Sequence, residues 1–110
     1  MNTKISKKSE FFGIKQDTIN AISEIIYSNT KVKEIIIFGS RAKGNYKKGS
    51  DIDLAIIADD LSLSELLEIK SKINDLPIPY QIDVVDFNKL ENKDLIEHIK
   101  RVGKKVEKVE

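Results

Sequence analysis

The sequence predicts an α/β (α+β) fold in which helices pack on one face of a short mixed β-sheet. Segments with apolar residues at helical spacing alternate along the chain with short runs of β-branched residues. The chain has 110 residues, the usual size of one compact domain, and shows neither a repeat nor an internal linker. We therefore expect one domain over residues 1–110, with flexible ends at about 1–10 and 104–110.

The predicted elements follow the order helix, strand, strand, helix, strand, helix. Isoleucines at helical spacing indicate the first helix, and Ser62 with Glu65 forms a possible capping box at the start of the second. Pro77 and Pro79 exclude further helix after it, and Gly103 ends the last one. The predicted helices cover 15–28, 62–75 and 94–102, and the predicted strands cover 34–38, 51–58 and 80–87.

Composition excludes several classes of function. The 19 Lys and Arg residues nearly balance the 18 Asp and Glu residues, so no strong attraction to nucleic acid or to an anionic membrane is expected. Cysteine is absent, which excludes disulfides, thiolate zinc sites and a thiol nucleophile. The longest apolar run, residues 54–58, is too short to span a bilayer, and the first ten residues do not resemble a secretory signal. We expect a cytoplasmic protein.

Three aspartates point to a site for divalent cations. Asp51 and Asp53 begin the second predicted strand two residues apart, so both carboxylates face the same side of the sheet. Two like charges on one face repel each other unless a cation such as Mg²⁺ or Mn²⁺ compensates them. Asp83 lies in the next apolar strand, where a carboxylate is costly unless it shares the same metal. Three such carboxylates can hold two ions about 4 Å apart.

A glycine-serine pair ends the first predicted strand. Gly39 would let the backbone approach a ligand closely, and a short helix after it would direct N–H groups and the Ser40 hydroxyl at phosphate oxygens. Positive charge follows at Arg41, Lys43, Lys47 and Lys48. A glycine-rich cationic loop opposite a carboxylate cluster is suited to a metal–nucleoside triphosphate complex.

Residues 39–44 (Gly-Ser-Arg-Ala-Lys-Gly) and 50–54 (Ser-Asp-Ile-Asp-Leu) resemble the signature of the DNA polymerase β-like nucleotidyltransferase superfamily. The short chain and its Arg-Ala-Lys-Gly loop are most similar to the minimal nucleotidyltransferase (MNT) branch. The resemblance extends over about residues 34–86 and implies the small nucleotidyltransferase fold.

The resemblance also implies roles for individual residues. It implies that Gly39 and Ser40 bind the triphosphate of ATP and that Asp51 and Asp53 are ligands of two Mg²⁺ ions. Asp83 would be the third metal-binding carboxylate and would activate the attacking hydroxyl. Residues beside these motifs are expected to help hold the triphosphate: Arg41, Lys43 and Ser50.

Many members of the MNT branch are encoded beside a HEPN-domain protein, and the pair acts as antitoxin and toxin. The resemblance implies transfer of AMP from ATP to a tyrosine of that partner. A chain of 110 residues leaves no room for a domain that grips nucleic acid, so direct nucleic-acid binding is not expected. Two alternatives stay open: an antitoxin that acts by contact without catalysis, and a nucleotidyltransferase with a small-molecule acceptor.

Plainer interpretations of single residues also stay open at this stage. Asp83 could be a solvent-facing residue of an edge strand, and Lys43 could belong to a merely solvated loop. Tyr46 could stack on a nucleotide base or pack against the sheet. His98, in the last predicted helix, is far from the motifs along the chain, and a surface or interface role is expected for it.

Overall fold

The computed structural model describes residues 10–107 and contains the six predicted helices and strands in the predicted order, together with two short strands before the first helix and one after the last that were not predicted. The helices are α1 (Gln16–Tyr27), α2 (Gly39–Lys43), α3 (Leu63–Asn74) and α4 (Lys93–Val102). The strands are β1 (Glu10–Phe11), β2 (Ile14–Lys15), β3 (Val32–Phe38), β4 (Ile52–Ala58), β5 (Ile82–Asp86) and β6 (Lys104–Val106). A short 3-10 helix, Phe87–Lys89, follows β5. None of the helices in this part of the chain has the length and apolar character needed to cross a membrane.

The main sheet is mixed, as predicted, with the strand order β5-β4-β3-β6. Strand β3 runs antiparallel to both of its neighbours, whereas β4 and β5 are parallel and are connected through α3. Strand β4 is an inner strand and is buried along most of its length, which its apolar sequence requires. Strands β1 and β2 form a separate antiparallel pair ahead of α1.

Helices lie on both faces of the sheet, so the expectation of helices on one face is wrong. Ile35 and Ile37 of β3 belong to the larger apolar core, which also holds buried residues of α1 and α3. Because side chains alternate along a strand, Phe38 points to the opposite face, where it shares a second, smaller core with Ala55 and with Ile99 of α4. The periodicity of a helix shows which side is apolar but not which face of the sheet it covers.

Strand β6 replaces part of the flexible end that was predicted after Gly103. Lys104–Val106 pairs antiparallel with β3, and Val106 is buried against the larger core opposite Ile35. One apolar residue among exposed lysines is too weak a pattern to predict a strand. The rest of the two predicted ends, residues 1–9 and 108–110, lies outside the described residues.

Helix α3 begins with the predicted capping box. The Ser62 Oγ accepts a hydrogen bond from the Glu65 backbone N–H at 3.1 Å, and Glu65 Oε1 accepts one from the Ser62 N–H at 2.9 Å. Ile69 and Ile73 are the buried residues of this helix, whereas the leucines nearer its start, Leu63 and Leu67, are exposed.

Candidate active site

The turn between β3 and α2 brings the backbone against a carboxylate. Gly39 has a φ of +77°, in the left-handed region that favours glycine. A Cβ at this position would collide with the Asp53 carboxylate. Both the conformation and the contact therefore require glycine, and the close approach of the backbone at Gly39 is to the Asp53 carboxylate.

Strand pairing brings two of the three predicted carboxylates together. Asp53 lies opposite Phe38 in the β3–β4 ladder and directly beside Asp83 in the parallel β4–β5 ladder. Residues in register on adjacent strands project from the same face, which here is the face that α4 covers. Asp53 is half-buried, whereas Asp83 on the edge strand and Asp51, just ahead of β4, are exposed. Asp83 is therefore a solvent-facing residue of an edge strand, which is its plainer interpretation. It also lies beside Asp53, as a shared metal site would require.

The electrostatics of Asp53 reflect its surroundings. Burial raises the pKa of its carboxyl above the ordinary value, and the negative charges of Asp83 and Asp51 raise it further, against a smaller lowering effect of His98. The three carboxylates are therefore close enough to repel one another.

A divalent cation would relieve this repulsion, and a donor set of carboxylate oxygens suits Mg²⁺ or Mn²⁺. Within residues 10–107, no three acidic or histidine side chains converge closely enough to form a ready-made metal site. The chemistry of the three aspartates fits the ion, but their side chains would have to draw together around it.

The polar residues predicted to hold a triphosphate differ in their availability. The Ser40 hydroxyl is partly exposed and has no hydrogen-bond partner in the described part of the chain, and the Lys43 side chain is exposed. The Ser50 hydroxyl instead accepts a hydrogen bond from the Lys47 N–H at 2.8 Å, within the loop before β4. Ser40 and Lys43 are accessible to a ligand, whereas the Ser50 hydroxyl is engaged in a hydrogen bond within its own loop.

The Arg41 guanidinium, predicted to help hold the triphosphate, is engaged by the protein itself. Its side chain is buried, and Nη1 donates to the Phe12 carbonyl at 2.9 Å while Nη2 and Nε donate to the Ser50 carbonyl at 2.9 and 3.2 Å. The rings of Tyr46 and Tyr80 lie 4.9 and 5.1 Å from the guanidinium carbon. Arg41 therefore holds α2 against the residue before Asp51, and Tyr46 packs on it.

His98 is partly buried against the Gly39 turn, a position that the expected surface or interface role did not include. Its Nε2 accepts a hydrogen bond from the Gly39 N–H at 3.2 Å, and its ring meets the Phe38 ring edge-on at 6.1 Å. His98 is three residues after Leu95 and therefore flanks the apolar face of α4, which was a usable signal. Distance along the chain concealed it, because the packing of α4 on the β3 end is a tertiary feature.

The geometry agrees with relationships to known proteins. Residues 20–108 match the family described as "Polymerase beta, Nucleotidyltransferase". One relative, from Methanocaldococcus jannaschii, is named as a protein adenylyltransferase and is 36% identical over 70 residues, which are 63% of this chain and 70% of the relative.

Two solved structures share the fold. A toxin–antitoxin complex with AMP-PNP superposes with a TM-score of 0.67 at 27% identity, covering 83% of this chain and 73% of that one. A complex of the tri-AMPylated Shewanella oneidensis HEPN toxin with its MNT antitoxin gives a TM-score of 0.65 at 25% identity, covering 86% and 72%.

Proposed function

Because this chain belongs to the polymerase β-type nucleotidyltransferase family, we propose that it transfers AMP from ATP to a hydroxyl group of a HEPN-domain partner, as the antitoxin of a toxin–antitoxin pair in the cytoplasm. The relative named as a protein adenylyltransferase supports the reaction. The complex of an AMPylated HEPN toxin with an MNT antitoxin supports the partner. The single observation that carries the proposal is the Gly39 turn lying against Asp53, which is paired with Asp83.

The triphosphate would lie on the turn that follows β3. Gly39 lets the turn lie directly against the Asp53 carboxylate, and the Ser40 hydroxyl, which has no partner among the described residues, can donate to a phosphate oxygen. The exposed ammonium group of Lys43, one turn further along α2, would stabilise the negative charge of the leaving pyrophosphate. The Ser40 hydroxyl and this one lysine would therefore provide phosphate contacts, since the Arg41 guanidinium is engaged within the protein.

Asp51, Asp53 and Asp83 would hold the metal. Two Mg²⁺ ions bound there would neutralise the triphosphate and polarise the α-phosphoryl group. Asp53 would be the central ligand of this arrangement because it lies between the turn and Asp83, where burial and then the charges of Asp83 and Asp51 raise the pKa of its carboxyl. The contribution of the chain is to keep the Asp53 and Asp83 oxygens on one face of two adjacent strands, with Asp51 directly ahead of β4.

In the transfer step, the acceptor oxygen would form a bond to the α-phosphorus while the bond from that phosphorus to the pyrophosphate oxygen breaks. The acceptor hydroxyl would pass its proton to a carboxylate oxygen of Asp83. Asp83 is exposed on β5, an edge strand of the sheet, so an acceptor on a large partner could reach it. This accessibility favours a protein acceptor.

The test is to incubate the chain and its HEPN partner with Mg²⁺ and ATP labelled at the α-phosphate. The proposal expects label on the partner, detected by intact mass as added AMP, and expects its loss with a chelator or in Asp53→Asn. Asp59→Asn is the matched control, since Asp59 is an exposed aspartate at the other end of β4 that pairs with Lys33. An unlabelled partner, or full transfer by Asp53→Asn, would refute the proposal.

A contact-only antitoxin is the second candidate, because the three carboxylates do not converge as a ready-made metal site within residues 10–107. The two candidates differ in how Asp53→Asn affects neutralisation of the toxin. Contact alone predicts that the variant still neutralises its partner, whereas AMP transfer predicts that neutralisation is lost with the label.

A further inference from the structure

One hydrogen bond connects the candidate nucleotide site to the last helix. The Gly39 N–H, at the first residue of α2, donates to His98 Nε2 of α4 at 3.2 Å, across 59 positions of the chain. The two helices also pack against each other at this point. The glycine turn is therefore supported from α4 as well as from its own strand.

The amide of Gly39 needs such a partner. The first N–H groups of a helix have no acceptor within the helix, and α2 has only five residues to stabilise its own geometry. Gly39 also touches the Asp53 carboxylate, so any shift of the turn moves it relative to the acidic group. His98 both satisfies the amide and opposes such a shift.

The imidazole is itself held in place. Its ring meets Phe38 edge-on with an interplanar angle of 80°, and the adjacent Ile99 is buried in the smaller core. An imidazole nitrogen that accepts a hydrogen bond carries no hydrogen, so the ring proton is on Nδ1. The acceptor is thus presented to Gly39 by a ring with little freedom to move.

We propose that His98 is a positioning residue of the nucleotide site. By holding the Gly39 amide, it keeps the turn against Asp53 and keeps the Ser40 hydroxyl on the ligand side. His98 does not contact the reacting atoms in this scheme; it acts through the backbone of the turn. The inference rests on the proposed function, since it assigns His98 to the same site.

Two substitutions separate the hydrogen bond from the packing. His98→Gln places an amide oxygen near the position of Nε2 and can still accept from the Gly39 N–H. His98→Phe keeps a ring against Phe38 and removes the acceptor. Glu97→Gln, at an exposed neighbouring position of α4, is the control for general effects on the helix.

We expect His98→Phe to raise the KM for ATP about five-fold with kcat nearly unchanged, because a misplaced turn weakens triphosphate binding in both the ground state and the transition state. The affinity for AMP-PNP with Mg²⁺ should fall by the same factor. His98→Gln and Glu97→Gln should stay within about two-fold of the wild type. In the nucleotide-free protein, amide exchange at Gly39 should be faster in His98→Phe and not in His98→Gln.

The possible outcomes are distinguishable. If the wild-type chain does not bind AMP-PNP with Mg²⁺, the proposed function fails. If the wild type binds and folded His98→Phe binds equally well, only the role of His98 is refuted. A His98→Gln variant that binds as weakly as His98→Phe would also refute it, because the acceptor alone would then not explain the effect. Circular dichroism and melting temperature verify that each variant is folded.

Discussion

Glu65 and Asp53 carry the same kind of group in opposite surroundings. The Glu65 carboxylate accepts hydrogen bonds from Lys31 Nζ at 2.8 Å, Ser62 N at 2.9 Å and Asn29 Nδ2 at 3.1 Å. These donors, the Lys31 ammonium foremost, lower the pKa of Glu65 to about 2. The pKa of Asp53 is raised, first by burial and then by two neighbouring aspartates.

The comparison separates structural charge from functional charge. At the start of α3 the chain supplies the donors that balance a carboxylate, so the charged form stabilises the fold. On the α4 face of β4 the chain gathers negative charge and leaves it unbalanced, which opposes folding and which a bound cation would compensate. The same protein thus balances the charge of Glu65 and leaves that of Asp53 unbalanced. A charge that lowers stability in this way is typical of a binding site.

Asp53→Asn should have the largest effect. We expect AMP transfer to fall at least about 1,000-fold, because Asp53 is the central carboxylate of the site. The metal-free variant should nevertheless be more stable than the wild type at neutral pH, since the substitution removes a charge that burial and repulsion disfavour. Transfer assays and thermal melts in chelator measure the two effects. A less stable metal-free variant would contradict this account of the site.

Arg41→Lys should have the next largest effect, which is a loss of stability. Lysine has no planar fork with which to reach both the Phe12 and Ser50 carbonyls while its charge lies near the Tyr46 and Tyr80 rings. We expect the free energy of unfolding to fall by about 2 kcal/mol, measured by urea denaturation. Arg101→Lys, at an exposed position on α4, should leave it unchanged. Unaltered stability in Arg41→Lys would mean that its buried hydrogen bonds matter little.

Two serines repeat the comparison with neutral groups. Ser62 caps α3 and has its partners, whereas the Ser40 hydroxyl has none among the described residues. Ser62→Ala should lower the free energy of unfolding by about 1 kcal/mol and leave nucleotide binding intact. Ser40→Ala should leave stability intact and weaken binding of AMP-PNP with Mg²⁺ about five-fold. The free energy of unfolding and the affinity for AMP-PNP should be measured for both variants. A destabilised Ser40→Ala, or weaker binding by Ser62→Ala, would contradict the comparison.

The smallest effect expected is a change in acid stability. A pKa lowered by folding means that Glu65 contributes stability above its ordinary value of 4.5, and that this contribution is lost as the pH falls toward 2. Glu65→Gln should therefore be slightly less stable at pH 7 and should show a weaker decline in melting temperature over that acid range. If the melting temperature of Glu65→Gln declines as steeply as that of the wild type, groups other than Glu65 cause the acid sensitivity.

The contribution of Asp53 to stability should change with pH in the opposite direction. Because folding raises its pKa, protonation of Asp53 favours the folded state, so its contribution to stability improves as the pH falls through the raised value. Melting curves of the wild type and Asp53→Asn in chelator should converge as the pH decreases. Curves that diverge would show that the charge of Asp53 does not destabilise the folded state.

Local patterns were sufficient for most of the fold. The capping box of Ser62 and Glu65 predicted the start of α3, and short runs of β-branched residues predicted the three longer strands. The positions of Gly39 and Asp53 follow from the same patterns, since each lies at a strand end where backbone conformation and side-chain direction are determined locally.

Features that depend on packing between distant segments were not predictable. The hydrogen bond from Gly39 to His98 depends on the face of the sheet that α4 covers. The burial of Arg41 depends on carbonyls of two separate loops, and β6 depends on a free edge of β3. A cationic residue beside a phosphate-binding motif suggests a ligand contact, and nothing local to Arg41 indicates that its charge serves the protein instead.

The thermal shift produced by Mg²⁺ together with AMP-PNP tests the central claim most directly, namely that Asp53 and its neighbours lack a counter-charge until a metal–nucleotide complex binds. The melting temperature of the wild type and of the Asp59→Asn control should rise with ligand concentration, while that of Asp53→Asn should not. An equal rise in Asp53→Asn, or no rise in the wild type, would contradict the account.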